Sequence, residues 1–213
     1  MTAILLADDH AIVRHGLREL LQEAFPEARF GEAGTAAEAV QAARSGEWDL
    51  LVLDLSLPGR SGLDALKDVK AARPKLPVLI LSMYPANQFA VRALKAGAAG
   101  YLTKQSAPAE LVDAVRKVLR GGRWVSASVA ELLAAELGSD TTREPHETLS
   151  DREFQVLRLI ASGLSLTAIG EELSVSVQTV STYRTRLLEK MGLSTNAELT
   201  KYVKLHGLNE EDT

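Results

Sequence analysis

Leu50-Leu51-Val52-Leu53-Asp54 and Val78-Leu79-Ile80-Leu81-Ser82 are two short apolar runs that do not alternate with polar residues, and each ends on a group able to do chemistry. A strand reads this way when both of its faces are covered, the condition of a parallel sheet wrapped by helices. Working outward, Ala3–Ala7, Ala28–Ala33 and Gly100–Leu102 join Leu50–Leu53 and Val78–Leu81 to give five strands, with helical patterns filling the gaps. Thr35-Ala36-Ala37-Glu38 predicts a capping box at the second helix. Gly97 suits a stop after Phe89–Ala96, and Pro108 fits the first turn of Pro108–Leu119. The prediction is an α/β domain over 1–121, built as a doubly wound five-stranded parallel sheet.

Gly121-Gly122 breaks that pattern. Residues 122–147 read as a linker with one short helix, Ala127–Leu137, before the polar stretch Gly138–His146. From 148 to 208 the strand signal is gone and four helices are predicted at about 150–162, 166–173, 177–190 and 195–206. Ser150-Asp151-Arg152-Glu153 and Thr195-Asn196-Ala197-Glu198 are capping boxes, Ser176 is an N-cap, and Gly163 and Gly192 stand where helices end. Residues 209–213 form an acidic tail. The 213 residues therefore suffice for two cores. No apolar run approaches the roughly 20 residues that span a bilayer, the first residues lack a basic region and apolar leader, and there is no cysteine. A cytoplasmic protein without a membrane partner is expected. The net charge of −4 argues weakly against nucleic acid, but 146–208 holds seven basic and seven acidic residues, free to segregate by face.

Asp8 and Asp9 follow the first strand, Asp54 the third, Ser82 the fourth and Lys104 the fifth. Parallel strands put these positions at one edge, where open α/β sheets bind ligands. Three carboxylates within about 4 Å repel by roughly 4 kcal/mol per pair at an effective dielectric near 20, so a cation is needed, and Mg²⁺ suits hard oxygen ligands. Such a site can accept a phosphoryl group: Asp54 attacks as a carboxylate nucleophile, Lys104 neutralises charge on the equatorial oxygens, and Ser82 then hydrogen-bonds one of them. Movement of the Ser82 hydroxyl would let Tyr101 swing into the space it leaves, which turns a charge into a change of surface. His10, His15, His146 and His206 have no ligand spacing and read as surface or structural residues.

Asp8-Asp9, Leu53-Asp54-Leu55-Ser56-Leu57-Pro58-Gly59 with Gly62, Leu81-Ser82 and Tyr101-Leu102-Thr103-Lys104 together resemble the receiver domains of two-component signalling, over essentially all of 1–121. The resemblance implies a flavodoxin-like receiver with Asp54 as phosphoacceptor. It also implies Mg²⁺ held by Asp8, Asp9, Asp54 and the Ser56 main-chain carbonyl, and a sensor histidine kinase as donor. Met83, where a very small residue is usual, and Gln105, where proline is common, depart from the pattern. Met83 is expected to screen the acyl phosphate from water. An enzyme using Asp54 as nucleophile, such as a haloacid dehalogenase-type phosphatase, is disfavoured, since Asp54-Leu55-Ser56 offers no second acid to protonate a leaving group.

In the C-terminal half, the tight break Glu172-Leu173-Ser174-Val175-Ser176 between two helices suggests a helix-turn-helix, whose later helix lies in the major groove of double-stranded DNA. Within it, Gln178, Ser181, Thr182 and Thr185 share a polar, uncharged face suited to base edges, and Arg184, Arg186 and Lys190 suit phosphates. The run from Leu149-Ser150-Asp151-Arg152-Glu153 through Ile169-Gly170, Val175-Ser176, Thr179-Val180 and Lys190-Met191 to Asn196-Ala197-Glu198-Leu199 resembles the LuxR-type DNA-binding domain over about 148–208. Gly170, Tyr183 and Phe154-Gln155 depart from its commonest residues. Receiver plus this domain is the arrangement of the NarL/FixJ family. It implies a transcriptional regulator rather than an enzyme, and a homodimer on activation paired through the last helix. The linker is long enough for rearrangement, so the unphosphorylated receiver is expected to dock on or misorient the DNA-binding domain until Asp54 is phosphorylated.

Overall fold

The apolar runs become β1 (Ala3–Ala7), β2 (Arg29–Ala33), β3 (Leu50–Asp54), β4 (Val78–Ser82) and β5 (Gly100–Thr103). All pairs are parallel, in the order β2-β1-β3-β4-β5. The computed structural model describes residues 1–58, 61–84, 86–138 and 144–208, and the chain divides into two units, 1–139 and 140–213. In the first unit the strands alternate with α1 (Ala11–Ala24), α2 (Ala36–Ser45), α3 (Gly62–Ala72), α4 (Ala86–Lys95) and α5 (Ala107–Leu119). The last three strands run one residue further than expected, because the ladder pairs Asp54 with Leu81 and Ser82 with Thr103.

Alternation along each strand decides what the site is made of. Ile4, Leu6, Leu50, Val52, Leu79, Leu81 and Leu102 form one core with Leu17 and Leu21 of α1 and with Leu111, Val115 and Val118 of α5. Counting on by two from these stripes reaches Asp8, Asp54 and Lys104. Ser82 and Tyr101 belong to the opposite stripe. Between β1 and β3 the strand order reverses, and the crevice there is where such sheets bind ligands.

One expectation is corrected, and one unit is longer than the domain it contains. Thr35 caps α2 by accepting from Glu38 N, but the Glu38 carboxylate takes the N–H of Gly34 instead of the cap residue's own, so this capping box is only half made. The first unit also continues past Leu119 to residue 139, further than the boundary at 121. The reason is the open edge of β5: Trp124 N donates to Ala99 O (2.9 Å) and Tyr101 N to Trp124 O (3.2 Å), adding one more parallel rung. The helix expected inside the linker forms as α6 (Ala127–Gly138) and packs on α4, with Val129 buried.

The second unit opens with a 3-10 turn, Pro145–Thr148, followed by α7 (Asp151–Ala161), α8 (Leu166–Glu172), α9 (Val177–Met191) and α10 (Asn196–Leu205). Both predicted capping boxes, at Ser150/Glu153 and Thr195/Glu198, are complete. Gly192 ends α9 in the left-handed conformation, φ 64°. Helix α9 packs on α7 and α8 through Val180, Leu187, Leu188 and Met191. Gly170 is not a tolerant position: a Cβ there would stand 2.9 Å from Val175 O in the turn between α8 and α9.

Candidate functional site

Asp54 and Asp8 are both 1% exposed at the carboxyl end of the sheet. Lys104 reaches them from the end of β5, with Nζ 2.8 Å from Asp54 Oδ2 and 2.7 Å from Asp8 Oδ2. Its backbone is fixed by the bond from Lys104 N to Ser82 O (2.7 Å). Asp54 Oδ1 accepts from Ser56 N at 3.0 Å. Gly62 lets the start of α3 come close against the end of β3, since any Cβ there would lie 2.3 Å from Asp54 O and 2.5 Å from Leu55 Cα. Burial pushes the Asp54 carboxyl above its ordinary range, opposed by the Lys104 charge and hydrogen bond. Burial pulls the Lys104 ammonium down, but its attraction to Asp54 and Asp8 and its hydrogen bond to Asp54 win, and it is held above its usual value. At neutral pH the lysine is therefore charged.

One ammonium does not satisfy these acids. Carboxylate oxygens of Asp8, Asp9 and Asp54 and a nitrogen of His10 all lie within 4.8 Å of one another. Asp8 Oδ2 and Asp9 Oδ1 are buried without a hydrogen bond: their contacts to Lys104 (2.7 Å) and His10 Nδ1 (2.8 Å) are ion-pair distances lying off hydrogen-bonding directions. Two orphaned buried carboxylate oxygens beside a third acid fit a hard divalent cation.

Ser82 is fully buried one rung beyond the Leu81 that pairs with Asp54. Its hydroxyl accepts from Tyr84 N (3.1 Å), and the Tyr101 hydroxyl donates to Tyr84 O (2.8 Å). Ser82 and Tyr101 thus share Tyr84, and the Tyr101 ring already lies inside, 3% exposed. Met83 is 69% exposed next to Ser82, while Gly59 lies outside the described residues.

In the second unit, Gln178, Thr182 and Thr185 stand exposed on α9, with Ser181 half-buried among them. The Thr182 and Thr185 hydroxyls donate to the carbonyls of Gln178 (2.9 Å) and Ser181 (3.1 Å), leaving lone pairs and methyls to face outward. Arg186 is exposed. Arg184 is tied to Asn196 Oδ1 (2.6 Å). Lys190 is exposed, with its Nζ 2.6 Å from the buried carboxylate of Glu153.

Two family descriptions match the chain: "Response regulator receiver domain" over residues 4–116, and "Bacterial regulatory proteins, luxR family" over 147–203. The chain is a response regulator of the NarL/FixJ type. It is 34% identical to the response regulator UvrY of Escherichia coli K12, over all of this chain and 98% of that one. It is 32% identical to the response regulator GacA of Pseudomonas aeruginosa, over 98% of each. Among solved structures it resembles RcsB of Salmonella enterica serovar Typhimurium bound to promoter rprA in the presence of the phosphomimetic BeF3−, with TM-score 0.62, 26% identity and coverage of 96% and 99%.

Sequence reasoning missed three groups at these two surfaces of the response regulator. His10 is a surface residue, 65% exposed, as expected, but its Nδ1 also lies 2.8 Å from Asp9 Oδ1 at the edge of the acid cluster. Arg14 donates to Asp8 O (2.5 Å) and Glu32 Oε2 (2.9 Å), bracing the end of β1, and only the i+4 spacing from His10 hinted at it. Val177, 44% exposed at the start of α9, is an apolar side chain one turn before Ser181, beside the polar uncharged face of that helix.

Proposed function

We propose that this response regulator is a phosphorylation-controlled, DNA-binding transcription regulator whose Asp54 accepts a phosphoryl group from the phosphohistidine of a sensor histidine kinase. The observation that carries the reading is the gathering of Asp54, Asp8, Asp9 and Lys104 at one sheet edge with two carboxylate oxygens unsatisfied. Asp8, Asp9, Asp54 and the Ser56 carbonyl would hold Mg²⁺, which when bound supplies positive charge to the phosphoryl oxygens. A carboxylate oxygen of Asp54 attacks phosphorus as the P–N bond breaks. The bonding pair stays on the imidazole nitrogen, which takes up a proton from solvent. Lys104, already shared between Asp54 and Asp8, follows the new charge and stabilises it.

The Ser82 hydroxyl, now accepting from Tyr84 N, turns to donate to a phosphoryl oxygen, and the loop Ser82–Tyr84 moves with it. Tyr101 is hydrogen-bonded to that same loop, so its place depends on the phosphorylation state. Receiver chemistry belongs to 1–121 and DNA binding to 148–208, joined through 122–147. Gln178, Ser181, Thr182 and Thr185 read base edges, and Arg184 and Arg186 meet phosphates; Lys190 serves the second unit's own stability. The homodimer on activation is supported by a solved structure of two RcsB dimers on DNA. Among the described residues no helix is long and apolar enough to cross a membrane, in keeping with a cytoplasmic site of action.

The test is DNA affinity by fluorescence anisotropy on genomic promoter fragments, with and without acetyl phosphate and Mg²⁺. Affinity should rise on phosphorylation in the wild type and stay at its basal value in Asp54→Asn. An equal gain in Asp54→Asn removes Asp54 from the mechanism, and rapid turnover of p-nitrophenyl phosphate would favour a phosphatase instead.

A further inference from the structure

Glu144 and His146 are near neighbours in sequence but His206 lies far from both, which is why spacing gives no hint of a site, yet the fold brings the three together in the second unit. One donor atom from each lies within 4.8 Å of the other two, and His206 Nδ1 is 3.8 Å from Glu144 Oε2. Tyr202 completes the group: its hydroxyl is 3.0 Å from His146 Nδ1 and 3.4 Å from Glu144 Oε2, and its ring stacks on His206 at 4.0 Å. The His146 ring also lies against Phe154, at 6.3 Å between centroids. Both imidazoles are thus held by aromatic neighbours, while Glu144 is left to move.

We propose that Glu144, His146 and His206 form a binding site for a late first-row divalent transition ion, with Zn²⁺ as the reference case. The donor set decides the ion class: two imidazoles with one carboxylate suit zinc and its neighbours, whereas Mg²⁺ prefers oxygen throughout. Ligand bonds of about 2.0–2.1 Å put tetrahedral donor atoms roughly 3.4 Å apart, so the triad closes by about 1 Å. Glu144, whose side chain is 51% exposed, has the freedom to supply that movement. The Tyr202 hydroxyl provides the outer hydrogen bond that orients ligating groups, and a fourth position stays open to water. Binding ties the residues that enter the second unit, 144–146, to the end of α10, so the ion clamps the beginning and end of that unit.

The receiver acids, with His10 among them, are a competing place for the same ion, so the experiment must separate the two. Untagged full-length protein is stripped with a chelator, then titrated with Zn²⁺ by calorimetry in excess Mg²⁺, and with Co²⁺ by visible absorption. The wild type should take up one Zn²⁺ outside the receiver and unfold at least about 5 °C higher with it. Co²⁺ should give the visible bands of a low-coordinate nitrogen and oxygen site. His206→Gln and Glu144→Ala should each weaken Zn²⁺ binding about tenfold or more, and Asp9→Asn should leave it unchanged. Glu144→Ala spares the stack of Tyr202 on His206, so loss of affinity with an unaltered metal-free melting midpoint supports the site even should His206→Gln not fold. No Zn²⁺ uptake in excess Mg²⁺, uptake undiminished in Glu144→Ala, or uptake lost only in Asp9→Asn overturns it.

Discussion

Replacing Lys104 by methionine keeps the length of the side chain and removes the one ammonium that lies 2.7 and 2.8 Å from two carboxylates, each only 1% exposed. With donor oxygens of Asp8 and Asp54 inside 4.8 Å of each other, their repulsion at an effective dielectric near 20 is about 3–4 kcal/mol. The protein has an escape, which is to protonate one of them. Burial already pushes the Asp54 carboxyl above its ordinary range, so without the ammonium its protonation caps the damage near that figure. Lys104→Met should therefore lose about 3–4 kcal/mol in chelator at pH 7, roughly 10 °C in melting midpoint for a unit of this size. In the variant a carboxyl has a folded pKa above its unfolded value, so the folded state binds the extra proton and stability falls as pH rises. The deficit should be small near pH 5 and largest near pH 8. Saturating Mg²⁺ should recover most of it at every pH, because the cation does the work of the missing ammonium. Urea and thermal melts across that range, with chelator or with Mg²⁺, measure all of this. A variant that melts within about a degree of wild type in chelator near pH 8 would show that these carboxylates are not electrostatically coupled through Lys104, and the argument for a shared cation would go with it.

Gly62→Ala places a Cβ against the backbone of Asp54 and Leu55 and should cost about 2 kcal/mol or more by urea denaturation, with slower phosphorylation; a neutral result would mean that the approach of α3 to β3 is looser than 2.3 Å implies. Met83→Ala should shorten the lifetime of the aspartyl phosphate, followed as loss of phosphate-dependent anisotropy, and an unchanged decay rate removes Met83 as a screen. Burial raises Glu153, but hydrogen bonds from Lys190 and Ser150 and the Lys190 charge outweigh it, so its folded pKa lies below the unfolded one. Its contribution is present above the unfolded pKa and lost as pH falls through the folded one. Glu153→Gln should thus cost about 1 kcal/mol at pH 7 and progressively less as pH falls through the lowered folded pKa, and a pH-independent cost would contradict the ion pair. Arg186→Ala should weaken DNA binding evenly across sequences and reduce the salt slope by about 1, whereas Lys190→Met should change stability more than that slope.

The sheet was legible because buried parallel strands leave an unmistakable apolar run, and the acid site because strand alternation carries that run straight into Asp8, Asp54 and Lys104. Helix starts in the second unit were legible for an equally local reason, the reciprocal bonds of Ser150 with Glu153 and Thr195 with Glu198. What stayed hidden depends on distant partners. Trp124 reads as linker until β5 presents an open edge for it to pair with. The pairing of Lys190 with Glu153, 37 positions away in sequence, has no local signal either. His146 and His206 have no spacing in common, and only the packing of α10 near the 3-10 turn unites them with Glu144.

Borohydride reduction of the protein after reaction with acetyl phosphate and Mg²⁺, followed by peptide mass spectrometry, tests the central claim most directly. Reduction converts an acyl phosphate on aspartate to homoserine and so marks the residue that carried it. The account predicts homoserine at position 54, dependent on Mg²⁺ and sharply reduced in Lys104→Met. Homoserine at Asp8 or Asp9, or none at all while DNA affinity still responds to the phosphodonor, would contradict it.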